Sequence, residues 1–106
     1  MNKNIYEVTT LEFLNDLISK SNGITLIDFY QPTCGPCIML EPVLEELVEQ
    51  DLVDVLKVDV AAYPEIGHNF NVRVTPTIVI VKQNQIKEVI KGFKPLEEWQ
   101  EIIKKY

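Results

Sequence analysis

The chain has 106 residues, 46% of them hydrophobic, enough for one packed core of ordinary domain size without metals or a set of disulfides. Ten Lys and Arg against sixteen Asp and Glu leave a formal charge of -6 with no basic cluster, which argues against nucleic acid or an anionic membrane surface as a partner. No apolar run is long enough to span a bilayer, and Met1-Asn2-Lys3-Asn4-Ile5-Tyr6 lacks the apolar stretch of a secretory leader, so a single cytoplasmic domain over residues 1–106 is expected.

Residues 5–8 read as a short first strand. Thr9, with Glu12 three positions on, forms a capping box that opens a helix through Leu11, Leu14, Leu17 and Ile18, and Gly23 ends the unit. Ile24 to Tyr30 is nearly all apolar or β-favouring, as suits a central strand covered on both faces; only Asp28 disagrees. After Pro32-Thr33-Cys34-Gly35-Pro36-Cys37, apolar residues at 37, 40, 43, 44, 47 and 48 keep helical spacing. Pro42 falls inside this helix and predicts a kink rather than a break, because the stripe continues in phase beyond it.

Val53 to Val60 reads as a further strand, and Pro64 opens a short helix with Tyr63, Ile66 and Phe70 on one face and His68 at the surface. Thr77 to Lys82 and Ile86 to Lys91 form a hairpin about Gln83-Asn84, since Asn tolerates positive φ; Lys87, Glu88 and Lys91 suit a protected sheet edge. Gly92 closes that strand. Pro95 starts a last helix with Leu96, Trp99, Ile103 and Tyr106 inward, Trp99 serving as a core anchor. Strands alternating with helices and finishing in a hairpin and a helix indicate an α/β fold, a mixed sheet between helices.

The chemistry concentrates at Cys34 and Cys37. A Cys-x-x-Cys between a buried strand and a helix start, in a reducing compartment, points to redox work rather than a structural staple. Two incidental core cysteines are the plainest alternative. Zinc is another, but two thiolates are half of its usual ligand set and His68 is distant in sequence, so a metal site would need a second chain. Side chains three apart on a helical turn lie about 5 to 6 Å from each other, near disulfide geometry, so the pair opens and closes with little backbone movement. Cys34, at the helix N-terminus, meets unpaired N–H groups that favour a thiolate and is the expected nucleophile. Cys37 lies on the inward stripe with Leu40, Leu44 and Leu47, where desolvation keeps it protonated until it resolves the mixed disulfide. Asp28 shares a strand face with Ile24 and Leu26; taken alone it reads as a satisfied structural carboxylate, but with the cysteines six residues on its carboxyl is expected to titrate high and to exchange protons near neutrality. Phe29 to Leu40 bears no charge, and whatever part of it is exposed around Cys34 becomes a docking surface.

Over nearly its whole length the chain resembles the thioredoxin family. The likeness rests on Cys34-Gly35-Pro36-Cys37 together with Asp28-Phe29-Tyr30, Pro42, Lys57-Val58-Asp59, Val72-Arg73-Val74-Thr75-Pro76-Thr77 and Gly92. It implies the thioredoxin fold, a central mixed five-stranded sheet flanked by four helices. It also implies a cis bond before Pro76, which lies against the cysteines, with the Thr75 backbone pairing with an extended substrate. By the same resemblance Lys57 couples to Asp28 in a buried proton path, and Gly92 joins Thr33, Gly35 and Pro36 on the docking surface. The implied activity is protein dithiol-disulfide exchange by a monomer acting on disulfide-containing clients. A flavoprotein thioredoxin reductase using NADPH, or a ferredoxin-linked one, would recharge it, with no cofactor or metal bound to the chain itself. Three positions depart from the pattern: Thr33 replaces the usual Trp, Ile38 a usual Lys or Arg, and Asn84 a common Gly. The first two bear on partner fit and potential; the missing tryptophan leaves open a scaffold role, and Thr75 before the proline, which also occurs in glutaredoxin-like and disulfide-isomerase-like relatives, leaves open a specialised oxidoreductase serving glutathione or one client.

Overall fold

The computed structural model describes residues 4–106. The elements run β1 (Ile5–Glu7), α1 (Leu11–Lys20), β2 (Ile24–Tyr30), α2 (Gly35–Glu49), β3 (Val53–Asp59), α3 (Pro64–Asn69), β4 (Thr77–Lys82), β5 (Gln85–Lys91) and α4 (Leu96–Ile103). One sheet orders its strands β1-β3-β2-β4-β5; β3 runs parallel to β1 and β2, while β4 is antiparallel to β2 and β5 to β4. This is the mixed five-stranded sheet with four helices that the resemblance implies.

β2 is the central strand, and its alternation divides two cores. Leu26 meets Leu40, Leu44 and Leu47 of α2 and Trp99 and Ile103 of α4, while Ile27 and Phe29 meet Leu14 and Ile18 of α1 and Ile66 of α3. Phe29 also lies against Phe70, ring centroids 5.2 Å apart. Trp99 is fully buried, the anchor its spacing predicts. α2 passes through Pro42 as one helix, because the leucines on either side hold both halves to the same core. No described helix is long and apolar enough to cross a membrane.

Several boundaries move by a residue or two, for local reasons. The first helix is capped by Thr10, not Thr9: the Thr10 hydroxyl accepts the Phe13 N–H at 3.1 Å. The Val8 N–H still bonds the Lys57 carbonyl at 2.8 Å, so the chain is tied to β3 one residue before Thr9 and turns only afterwards. α1 stops at Lys20, and Gly23 lies in the bend before β2. β3 ends at Asp59, whose carboxylate accepts the N–H groups of Ala61 and Ala62 and turns the chain. Gln83 and Asn84 take φ of 54° and 62°, the left-handed pair that a tight hairpin requires.

Candidate functional site

β2 delivers the chain to the end of the sheet, where the Cys34 N–H bonds the Gln31 carbonyl at 3.2 Å and the backbone turns into α2. Cys34 is the N-cap of that helix, and its sulfur accepts the Cys37 N–H at 3.2 Å. Pro36 occupies the first turn, where a missing N–H costs nothing, and no acidic residue shares that turn to compete for the positive helix end. Cys34 and Cys37 are joined as a disulfide with Cα atoms 5.2 Å apart. The two sulfurs differ in setting: Cys34 is partly exposed, whereas Cys37 is 4% exposed beneath it.

A second loop closes over the pair. The Thr75–Pro76 bond is cis, and the Thr75 carbonyl oxygen lies 3.6 Å from the Cys34 sulfur. Two bonds hold this loop: the Thr77 hydroxyl donates to the Val74 carbonyl at 2.6 Å, and the Gly92 N–H donates to the Pro76 carbonyl at 2.9 Å. Gly92 has φ of +87° with open space where a Cβ would stand, so conformation rather than crowding calls for glycine there. Gln31, Pro32, Thr33, Gly35 and Pro36 are exposed around the disulfide, and Ile38 and Met39 present more than half of their surface. The uncharged stretch is therefore an open apolar rim. His68 and Arg73 line a groove that adjoins the site through Gln31 and Thr75.

Beneath the pair, Asp28, Tyr30, Cys37, Ile38, Glu41 and Lys57 border a cleft of about 40 Å³, room enough for a water molecule. Asp28 is 2% exposed, and among the described residues its Oδ1 has no hydrogen-bond partner. Burial pushes its carboxyl up to about 7; the Lys57 ammonium opposes the rise, and the Glu41 and Glu7 carboxylates add to it.

Lys57 is the instructive case. It stands in register between Asp28 on β2 and Glu7 on β1, but its ammonium does not close an ion pair with Asp28. It lies 2.5 Å from Glu41, 3.8 Å from Glu7 and 4.5 Å from the centre of the Tyr30 ring. The Tyr30 hydroxyl donates to Glu7 at 3.2 Å, and burial with that carboxylate raises its pKa. Glu41 was not singled out from the sequence. Its only signal there is spacing: four residues after Cys37, it shares that residue's side of α2.

The family model for thioredoxin matches residues 4–105. A thioredoxin from Listeria monocytogenes is 38% identical over 104 residues, covering 96% of this chain and 98% of that one. A thioredoxin from Bacillus subtilis is 40% identical over 88 residues, covering 81% and 85%. Among solved structures, a mutant thioredoxin from Halobacterium salinarum superposes with a TM-score of 0.89 at 35% identity, covering 98% of this chain and 90% of that one. Mitochondrial thioredoxin 3 of Saccharomyces cerevisiae, in its oxidised form, gives 0.86 at 34%, covering 96% and 95%. The match across all but the ends, together with the cysteine pair at disulfide distance, places the chain in the thioredoxin family of protein-disulfide oxidoreductases.

Proposed function

We propose that this chain reduces disulfides in client proteins, with Cys34 as the attacking sulfur and Cys37 as the resolving one. The Cys34 thiolate attacks one sulfur of the client disulfide; that bond breaks, a Cys34–client disulfide forms, and the client's other sulfur leaves as a thiolate that takes a proton from water. Cys37 then gives its proton to the Asp28 carboxylate and attacks the Cys34 sulfur. The mixed disulfide breaks, Cys34–Cys37 forms, and the second client thiolate departs and is protonated. Two electrons have passed from the dithiol to the client.

The observation that carries this reading is the unequal setting of two sulfurs one helical turn apart, one capping a helix at the surface and the other buried over an unpartnered carboxyl. Thr75 offers its backbone to an extended client segment, and Thr33, Gly35, Pro36, Pro76 and Gly92 frame the contact. Lys57 supplies the charge that keeps Asp28 able to ionise. A thioredoxin reductase drawing on NADPH returns the two electrons, and the chain works as a cytoplasmic monomer with no cofactor or metal of its own. Insulin reduction in the presence of dithiothreitol tests the reading. Wild type accelerates precipitation well beyond the Cys34→Ser variant; equal rates would defeat it.

A further inference from the structure

The groups around Asp28 come from four elements: Tyr30 from its own strand, Glu7 from β1, Lys57 from β3, and Cys37 and Glu41 from α2. Three carboxylates thus compete for one ammonium. Register alone would share Lys57 between Glu7 and Asp28, its partners on either side. The Glu41 carboxylate instead takes the ammonium at 2.5 Å, at the solvent end of the cleft, since Glu41 is 47% exposed while the Lys57 side chain is 12% exposed. The face of the Tyr30 ring holds it from a further side at 4.5 Å. Asp28 is left deep in the cleft with Oδ1 unpartnered.

We propose that Glu41 is a positioning residue for the exchange: its carboxylate holds the Lys57 ammonium at the mouth of the cleft and so governs how readily Asp28 takes the Cys37 proton. This rests on the proton role given to Asp28 above. Two consequences of Glu41 point the same way. Its own negative charge disfavours a second anion nearby, and its hold on Lys57 withholds the cation that would favour one. Neutralising Glu41 removes both at once, and the freed lysine can swing onto Asp28. Glu7 reaches the same ammonium only at 3.8 Å and is 59% exposed, so neutralising it has the weaker effect.

The test titrates the Asp28 carboxyl directly, by carbon-13 NMR of the oxidised protein, in wild type, Glu41→Gln, Glu41→Asp and Glu7→Gln. The midpoint is expected to fall by about half a pH unit or more in Glu41→Gln. Glu41→Asp restores part of the shift, and Glu7→Gln moves it less. Superimposable curves for wild type and Glu41→Gln would overturn the proposal, as would an upward shift. The pH dependence of client reduction, followed in parallel, moves to lower pH by a similar interval. If the carboxyl titration moves and the rate profile does not, the placement of Lys57 by Glu41 stands and the proton role of Asp28 falls.

Discussion

The sheet face under α1 and α3 and the face under α2 and α4 carry apolar cores of similar size, but they treat buried polar groups differently. On the first, Thr25 and Thr77 are buried with satisfied hydroxyls, Thr25 donating to Ser21 at 2.7 Å and Thr77 to the Val74 carbonyl at 2.6 Å. On the second, Asp28 is buried with one oxygen unpartnered and a high pKa. Both faces belong to one strand, since Phe29 and Asp28 are neighbours on β2. The closed face satisfies its buried hydroxyls, whereas the reactive face leaves two buried polar atoms unpartnered among the described residues, Asp28 Oδ1 by the cysteines and the Trp99 indole nitrogen in α4. The carboxyl to which we assign proton exchange is the one left with an oxygen unpartnered.

Truncation on the closed face has the largest expected effect. Phe29→Ala should cost about 3 to 5 kcal/mol, through lost burial and the cavity left against Phe70 and Ile66. Urea denaturation measures this, while the folded fraction keeps its reactivity at Cys34; a loss below about 1 kcal/mol would show that this face yields easily.

Asp28→Asn should act oppositely on the reactive face. With the native carboxyl at about 7 against 3.8 for a free one, the folded state holds the proton longer than the unfolded state. Stability from this group is therefore fully present below pH about 4 and is lost as pH rises towards 7, by roughly 4 kcal/mol at each pH above that. The asparagine variant escapes the loss, so its advantage over wild type grows between pH 4 and 7 and then stays level. It should also slow the resolving step by tenfold or more, on the order of a lost general base. Denaturation at pH 4 and pH 8, beside single-turnover reduction of a client, checks both halves. A variant equally stable at both pH values relative to wild type would contradict the sign.

The smallest effect belongs far from either site. Thr10→Ala removes the α1 cap and should cost about 1 kcal/mol, whereas Thr9→Ala should cost little. Thermal melts of the two variants distinguish them.

Much of this is legible in the sequence. The nearly unbroken apolar run from Ile24 to Tyr30 marks a central strand, and the position of Cys34 and Cys37 between that strand and a helix marks the chemistry, because both signals are local. Two adjacent threonines were not separable, since either hydroxyl can cap and the choice depends on a hydrogen bond from Val8 to β3. The partner of Lys57 was not legible either. Glu41 is sixteen residues away on another element, and only the packing of α2 over β3 brings the two charges together. The cis bond at Thr75–Pro76 came from resemblance alone, as nothing in its immediate neighbours requires it.

The inequality of the two sulfurs bears most of the weight, and alkylation of the reduced protein with iodoacetamide across pH, read site by site by mass spectrometry, tests it most directly. Cys34 should react with a midpoint well below the value of about 8.5 for a free cysteine, and Cys37 should stay protected to higher pH. Two coincident curves near the free value would contradict the account.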